Sequence, residues 1–229
     1  MISVTNFARG FQSFWSNITP WFHGYVGSIN KGQIERFKKP LVSKDLPINR
    51  SINNTIAVLK FVEACKSESL NEDLKLAEIN AKAQLRYLPR SNCKNYSMGS
   101  DDIQQIIDQA RRLFVLYSKK LIVPFPFFPG CRVILTCQGD LLYSKTLVEV
   151  KAGERDLVPS DIRQTLTYLA LNSASKKPIS IENIEIVNPR QGTIYYDTVD
   201  NLCDAVSDRT KEDIFLEINS FAESYSLIS

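Results

Sequence analysis

Short apolar runs in the second half of the chain constrain its fold most strongly. Residues 132–142 are mostly apolar and β-branched, with Gly139 interrupting them, and residues 147–150 form a second apolar run. Ser144 and Lys145 lie between the two runs, where the chain has room for only a tight turn. The pattern therefore predicts a β-hairpin.

A helix and a second pair of strands are expected after the hairpin. Ser160 is a suitable N-cap, and Pro159 before it favours a helix over residues 161–172. Two further β-type runs, residues 184–187 and 193–196, are separated by a turn-prone segment. The order strand, strand, helix, strand predicts an α/β (α+β) domain with a small mixed sheet flanked by helices.

The predicted hairpin carries three polar residues that suggest chemistry. Alternation along the second strand puts Glu149 and Lys151 on one face, with Val148 and Val150 on the other. Asp140, on the first strand, is then expected to face Glu149. Two adjacent carboxylates repel each other unless a cation lies between them, and Mg²⁺ prefers such oxygen ligands together with water and phosphate.

The predicted helix carries a polar pair on the side away from its apolar residues. Gln164 and Tyr168 are four residues apart and share one face, while Ile162, Leu166 and Leu169 form the apolar side. Packed beside the hairpin, this pair would reach the metal, the lysine or a substrate phosphate. The lysine would orient or deprotonate an attacking water, so the whole set suits hydrolysis of a phosphodiester.

Each of these residues also has an ordinary structural interpretation. Glu149 and Lys151 would form a solvated pair if their strand lay at the edge of the sheet. Asp140 follows a glycine and suits a turn. Gln164 would be a surface glutamine and Tyr168 a half-buried aromatic. The joint order and spacing, rather than any one residue, favour a catalytic site.

At these positions the chain resembles the PD-(D/E)xK nuclease superfamily, particularly its RecB-like and restriction-endonuclease-like members. Asp140 corresponds to the first acid of the motif, and Glu149 and Lys151 to its Glu-x-Lys part. Gln164 and Tyr168 correspond to the Gln-x-x-x-Tyr helix of the RecB-like branch. The resemblance implies a restriction-endonuclease-like core, dependence on Mg²⁺ or Mn²⁺, and cleavage of nucleic acid, usually DNA, with RNA left open.

The resemblance covers about residues 101–200 and departs from the motif in two places. Gly139 stands where the name-giving proline would be. The family also often adds an acid from an upstream helix, for which Asp108 is the first candidate and Glu63 the second. The metal ligands that the resemblance implies are therefore Asp140, Glu149, the Val150 backbone carbonyl and, as a candidate, Asp108.

The chain divides at a polar segment, residues 90–100, into two expected parts. Residues 1–100 would form an aromatic-rich, mainly helical region for docking, dimerisation or substrate positioning, and residues 101–229 the nuclease-like domain. Helices are predicted over residues 53–66, 70–87 and 101–119, the second with Leu74, Leu76, Ile79 and Leu85 on its apolar side. Three prolines exclude a helix from residues 121–130. The aromatic residues of the first thirty positions are expected to pack onto the rest of the chain or onto a partner.

Composition agrees with this organisation and excludes several other classes. The net charge of +3 is small, so nucleic acid would need a local basic patch. The candidate patches are Lys31, Arg36, Lys38, Lys39 and Lys44, then Arg111 and Arg112, Lys119 and Lys120, and Lys176 and Lys177. Five scattered cysteines and a single histidine disfavour zinc sites and Ser-His-Asp catalysis and fit reduced thiols. No signal peptide or membrane-spanning run is apparent, so a cytoplasmic location is predicted.

The sequence thus predicts a Mg²⁺-dependent deoxyribonuclease, as in restriction, repair or phage-defence systems. A homodimer is compatible with this function, and because no P-loop motif is present, any ATPase, helicase or recognition subunit would be a separate chain. An alternative is a catalytically inactive member of the same fold that binds DNA or a partner protein. A third interpretation is an assembly subunit that uses its aromatic N-terminus and binds no nucleic acid.

Overall fold

The computed structural model of the chain describes residues 1–42, 50–85 and 96–225. The helices are α1 (Val4–Arg9), α2 (Gln12–Ile18), α3 (Phe22–Ser28), α4 (Arg50–Ser67), α5 (Lys75–Leu85), α6 (Ser100–Tyr117), α7 (Pro159–Ser173), α8 (Val199–Val206) and α9 (Lys211–Ser224). A π-helical segment, Ile29–Gln33, continues α3. The strands are β1 (Glu35–Arg36), β2 (Ile122–Pro124), β3 (Phe127–Phe128), β4 (Cys137–Gln138), β5 (Leu141–Tyr143), β6 (Thr146–Val150), β7 (Asn183–Asn188) and β8 (Thr193–Thr198).

In the described part of the chain, a six-stranded mixed sheet with the order β1-β8-β7-β6-β5-β2 forms the centre of the fold. Strands β6 and β7 are parallel, and the other neighbours in this sheet are antiparallel. Parallel neighbours need a crossover connection, and α7 supplies it. The predicted mixed sheet with flanking helices and a helical N-terminal region is confirmed.

The predicted hairpin is present, but its first strand is shorter than expected. Strands β5 and β6 are joined through Ser144, which adopts a left-handed conformation at φ 49°. The prediction of one strand through residues 132–142 is wrong, because β4 pairs with β3 in a separate two-stranded sheet. Gly139 and Asp140 separate β4 from β5, and a Cβ on Gly139 would lie 3.1 Å from Leu147 Cδ1 and 3.2 Å from the Phe128 ring. Close packing at this point separates the two strands.

The aromatic N-terminal segment packs against the face of the sheet that α7 covers. Phe7, Trp15 and Phe22 are fully buried, in one hydrophobic cluster with Leu166 of α7 and Ile184 of β7. Large aromatic side chains bury much apolar surface each, so this contact is a major part of the core. The expectation that the segment packs onto the rest of the chain is confirmed.

Helices α4 and α6 cover the opposite face of the sheet. Phe61 of α4 and Leu113 and Tyr117 of α6 are fully buried against Leu141 and Val148. Each of these two hydrophobic clusters therefore contains residues from before and from after position 100. The proposed division of the chain at that position stays a prediction.

Helix α5 buries a different side from the one predicted. Leu74 is buried as expected, but Leu76 and Ile79 are 55% and 62% exposed, while Ala77 and Ala81 are buried. The prediction of a face formed by the large residues is wrong, because α5 packs in one cluster with α4 through its small side chains. Small residues at a contact allow two helices to approach closely.

The remaining helix predictions agree with the structure where it describes the chain. Helices α4 and α6 correspond to the predictions for residues 53–66 and 101–119, and no helix occurs in residues 121–130. The end of the helix predicted over residues 70–87, most of the polar boundary 90–100, Lys44 and Cys93 lie outside the described residues.

The helices of residues 1–42, 50–85 and 96–225 are either too short or too polar to cross a bilayer. The four described cysteines, Cys65, Cys131, Cys137 and Cys203, are free thiols, in agreement with the prediction.

Candidate active site

The two carboxylates of the predicted motif meet across the hairpin. Leu141 pairs with Val148, and continuing this antiparallel register by one residue brings Asp140 opposite Glu149. The Val150 backbone N–H donates a hydrogen bond to Asp140 Oδ2 at 2.7 Å, which holds the aspartate at the end of the hairpin. The geometry therefore agrees with the expected pairing of the two acids.

Glu149, Lys151 and Gln164 form a closed triangle of polar contacts. Lys151 Nζ lies 2.8 Å from Glu149 Oε1 and 2.9 Å from Gln164 Oε1, and Gln164 Nε2 donates to Glu149 Oε1 at 2.8 Å. Gln164 Nε2 also lies 2.9 Å from the Tyr168 hydroxyl. The structure thus brings all four residues, together with Asp140, into one cluster.

Local structure explains why this cluster assembles. Glu149 and Lys151 are two residues apart at the end of β6, so they project from the same face of the sheet. Gln164 and Tyr168 are one helical turn apart on α7, which packs on that face. Glu149, Gln164 and Tyr168 are buried, and the Lys151 side chain is 21% exposed.

Helix α7 begins two residues earlier than predicted, and its first turn adds a further acid to the cluster. The helix starts at Pro159 with Val158 as its N-cap, so the prediction of Ser160 in that position is wrong. Proline suits the first helical position because no intrahelical partner exists for an N–H there. Asp161 Oδ2 accepts from the Val158 backbone N–H at 3.1 Å and so acts as the capping group.

Sequence reasoning missed the role of Asp161 and Arg155 beside the lysine. Asp161 Oδ1 lies 3.9 Å from Lys151 Nζ, and Arg155 binds both oxygens of Asp161, at 2.6 and 2.9 Å. Burial raises the pKa of Asp161, but hydrogen bonds from Arg155 and the charge of Lys151 outweigh it and lower the pKa below its usual range. One sequence signal could have revealed Asp161. It is an acid in the first turn of a helix that starts at a proline.

The surroundings of Asp140 and Lys151 raise the pKa values of both side chains. Burial and the nearby charge of Glu149 raise the pKa of Asp140 to about 8. Burial alone would lower the pKa of Lys151, but the carboxylates of Glu149, Asp161 and Asp140 raise it above its usual value. Lys151 therefore stays protonated at neutral pH, which suits stabilisation of negative charge better than proton abstraction.

Asp140 also lines a cavity of about 240 Å³ at the end of the hairpin. Val150 lines the same cavity, as does Asn54 of α4, whose Oδ1 is enclosed and has no hydrogen-bond partner. Glu149 does not line this cavity, because its side chain projects from the face of the sheet that α7 covers, whereas Asn54 and Val150 line the cavity on the α4 side.

These oxygen atoms fit a hydrated Mg²⁺ or Mn²⁺ better than a metal enclosed by protein ligands. Within the described ranges, no three His, Cys, Asp or Glu side chains group closely enough to hold a metal ion. Mg²⁺ commonly binds one or two carboxylates and keeps several waters, so Asp140, Glu149 and the Val150 carbonyl are a sufficient donor set.

The structure does not bring the upstream acids to this cluster. Asp108 accepts hydrogen bonds from Gln104 at 3.1 Å and from Arg111 at 2.8 Å. Its side chain lines a separate cavity of about 290 Å³ with Lys38. Glu63 pairs with Lys60 at 3.3 Å. Among the residues that the structure describes, neither acid lines the cavity at Asp140.

Basic side chains occur beside the cluster and on a second surface. Arg36 and Arg155 line a cleft of about 160 Å³, and Arg155 joins this cleft to Asp161. Lys38, Arg111 and Arg112 line the separate cavity that contains Asp108. The first cleft is therefore the basic surface that is continuous with the candidate site.

Comparison of the sequence with protein-family models gave no match, and comparison with curated proteins gave none either.

Proposed function

We propose that this chain is a metal-dependent nuclease that hydrolyses DNA phosphodiester bonds, with a restriction-endonuclease-like core of the PD-(D/E)xK type. The observation that carries the proposal is the contact network of Glu149, Lys151, Gln164 and Tyr168, adjoining Asp140. Residues from two strands and a helix converge there in the arrangement expected from the motif. The mixed sheet with α7 as the crossover helix is compatible with that core.

Asp140, Glu149 and the Val150 carbonyl would hold Mg²⁺ or Mn²⁺. When bound, such an ion polarises a phosphoryl oxygen and lowers the pKa of a coordinated water. Lys151, as an ammonium group, would neutralise charge that develops on the scissile phosphate.

The residues around this core act by holding it in position. Gln164 contacts both Glu149 and Lys151 and so sets their separation, and Tyr168 fixes the Gln164 amide. Asp161 holds Lys151 from the other side, and Arg155 holds Asp161. Arg36 and Arg155 would provide positive charge for the DNA backbone next to the site.

An inactive nuclease-fold module that binds DNA or a partner protein is the second candidate. It is favoured by one observation: the Glu149 side chain is 7% exposed, and one of its oxygens already accepts from Lys151 and Gln164. In this arrangement the Glu149 carboxylate has hydrogen-bond partners without a metal ion. Under this alternative, the contacts of Glu149 would be structural.

We also propose a cellular role for this activity. A nuclease of this kind would serve restriction, repair or phage defence in the cytoplasm, as a homodimer or with a separate ATPase, helicase or recognition subunit. The free thiols of the described cysteines are compatible with a reducing compartment.

Cleavage of plasmid and linear DNA tests the proposal directly. Wild type, Glu149→Ala and Lys151→Ala would be compared in Mg²⁺, Mn²⁺ and EDTA. Lys145→Ala is a matched control, because Lys145 lies on the same hairpin in an exposed pair with Glu182. We expect metal-dependent cutting by wild type and Lys145→Ala, and none by the two site variants.

Two other results would be informative. Cutting that persists in EDTA or in Glu149→Ala would contradict the proposed site. Folded wild-type protein that cuts no DNA, and binds Mn²⁺ no better than Glu149→Ala, would favour the inactive module.

A further inference from the structure

A row of side chains extends from the candidate glutamate across the sheet. Glu149 pairs with Ile186 of β7, and Ile186 pairs with Tyr195 of β8. Continuing the register of β1 and β8 by one residue adds Ile34 to this row. Residues that lie directly opposite each other on neighbouring strands project from the same face of a sheet. The row therefore follows the face that α7 covers.

A second, more polar row begins at the candidate lysine. The Lys151 backbone N–H donates to the Val187 carbonyl, which continues the parallel register and sets Lys151 beside Asn188. Asn188 pairs with Thr193, and Thr193 pairs with Arg36 of β1. Neighbouring strands lie about 4.8 Å apart, so the backbone of Arg36 is three strand spacings, roughly 14 Å, from that of Lys151.

The cleft of about 160 Å³ follows these two rows. Their members on β7, β8 and β1 all line it: Ile34, Arg36, Ile186, Asn188, Thr193 and Tyr195. The loop after Lys151 adds Arg155, Asp156 and Leu157 to the lining. The cleft thus begins one strand, about 5 Å, from the backbone of Glu149 and Lys151. A DNA strand with its scissile phosphate at Lys151 would pass an adjoining nucleotide into this cleft.

The lining combines apolar side chains with a cation at the rim. Ile34 and Leu157 are partly buried apolar residues that pack against the core. Arg36 is exposed, and its Nη1 donates to the Gln191 carbonyl at 2.8 Å, which holds the guanidinium at the cleft. An arginine has five N–H donors, so within the described residues this bond leaves others that can bind a phosphate.

The other charged residues of the lining point to Arg36 as the partner of that phosphate. Arg155 already binds both oxygens of Asp161. Asp156, a carboxylate in the lining, would repel an anion. A nucleotide would therefore place its phosphate on Arg36 and its base on the apolar side chains.

The size of the cleft excludes a base pair. A water molecule occupies about 30 Å³ of the liquid, so the cleft holds about five waters. This volume is well below the roughly 300–1,000 Å³ of pockets for drug-sized molecules. A base within a duplex is stacked and paired, and it enters such a pocket only after it has been extruded at a cost in free energy. An unpaired base enters without that cost.

We propose that this cleft binds one unpaired nucleotide next to the scissile phosphate, with its phosphate on Arg36 and its base against Ile34 and Leu157. The Thr193 hydroxyl, as donor or acceptor, would contact the edge of the base. The inference rests on the proposed function, because it names the form of DNA that the same site takes. The preferred substrate is then a single strand.

Fluorescence anisotropy of the full chain in EDTA tests this preference without cleavage. The probe is a fluorescein-labelled deoxyoligonucleotide, used as a single strand and as a blunt duplex of the same sequence. Arg36→Gln removes the charge at the rim, Thr193→Phe fills the cleft without altering charge, and Asp156→Asn removes the carboxylate. Arg209→Gln is the matched control, because Arg209 pairs with Glu217 and does not line the cleft.

We expect wild type to bind the single strand at least about tenfold more tightly than the duplex, because the duplex must first lose a base pair. Arg36→Gln should weaken single-strand binding about tenfold and reduce its dependence on salt by about one phosphate contact. Thr193→Phe should weaken it by a similar factor, and Asp156→Asn should strengthen it. Arg209→Gln should match wild type.

Two results would overturn the inference and leave the nuclease proposal standing, provided that metal-dependent cleavage is lost in Glu149→Ala. One is equal affinity of wild type for single strand and duplex, and the other is wild-type affinity in both Arg36→Gln and Thr193→Phe. The expected binding, without cleavage of either probe in Mg²⁺ or Mn²⁺, would support the cleft and overturn the nuclease. If Thr193→Phe fails to fold, the exposed Arg36→Gln decides: weakened single-strand binding supports the cleft, and unchanged binding overturns it.

Discussion

Lys151 and Gln164 share one oxygen of Glu149: the nitrogen of each side chain lies 2.8 Å from Glu149 Oε1. Gln164 also accepts from Lys151 through its own oxygen, at 2.9 Å. One amide on α7 therefore sets the distance between the acid and the lysine at the end of β6. The two bonds to Glu149 use only one of its two carboxylate oxygens.

Replacing Gln164 should harm catalysis more than folding. Gln164→Leu keeps the size of the side chain but removes its hydrogen bonds to Glu149, Lys151 and Tyr168, so we expect cleavage to slow about ten- to hundredfold. The free energy of unfolding should fall by about 1–2 kcal/mol. Single-turnover DNA cleavage and urea denaturation measure the two effects. Gln104→Leu, on the exposed face of α6, is the control, and a wild-type rate in Gln164→Leu would contradict the role.

Arg155 should affect activity through Asp161. Arg155→Ala breaks a partly exposed ion pair, so the expected loss of stability is small, about 0–1 kcal/mol. The freed Asp161 carboxylate, 3.9 Å from Lys151 Nζ, would attract the lysine away from Glu149, and cleavage should slow. Arg209→Ala, which breaks an ion pair with Glu217 elsewhere, should leave the rate unchanged. Equal rates in the two variants would show that Arg155 does not position the lysine.

The raised pKa of Asp140 predicts how the free energy of unfolding depends on pH. Burial and Glu149 raise the pKa of Asp140 to about 8, so the folded, metal-free protein holds a proton that the unfolded chain releases near pH 4. The folded state then binds more protons between these values, and the contribution of this group to stability falls as pH rises from about 4 to about 8.

Thermal unfolding in EDTA between pH 5 and 9 measures this effect. Asp140→Asn should show a weaker fall of stability with rising pH than wild type. Added Mg²⁺ should raise the wild-type melting temperature more at pH 8 than at pH 6, since binding of the ion competes with the proton. Parallel pH profiles for wild type and Asp140→Asn would refute the assignment.

Glu185 is a second buried glutamate of the sheet, on the face opposite to that of Glu149. It is buried in β7 and accepts hydrogen bonds from the hydroxyls of Tyr117 and, at 2.8 Å, Tyr143. Glu185→Ala leaves both hydroxyls without this partner, so we expect a loss of stability of about 2 kcal/mol or more.

The same variant separates folding from metal binding. In the parallel pair of β6 and β7, Glu185 lies beside Val148 rather than beside Glu149. Glu185→Ala should therefore keep wild-type affinity for Mn²⁺ in calorimetric titration, while Glu149→Ala loses it. Equal losses of affinity in the two variants would mean that Glu149 acts on metal only through the fold.

Much of the site region could be predicted because its elements are encoded by local patterns. The turn at Ser144 and Lys145 lies between two apolar runs, and α7 has apolar residues at helical spacing. The spacing of Gln164 and Tyr168 places them on one side of a helix wherever that helix packs. The prediction at β4 failed because Gly139 packs against Phe128, a contact that the β-branched pattern does not contain.

The sequence by itself determined the hairpin, helix and strands that carry the five motif residues, since the propensities and periods of these elements depend on near neighbours. Only the tertiary structure decided that Arg155 and Asp161 hold Lys151, and that Asn54 lies at the cavity of Asp140. It also decided which side of α5 is buried. Burial and pairing depend on which distant segments pack together, and local patterns do not specify those partners.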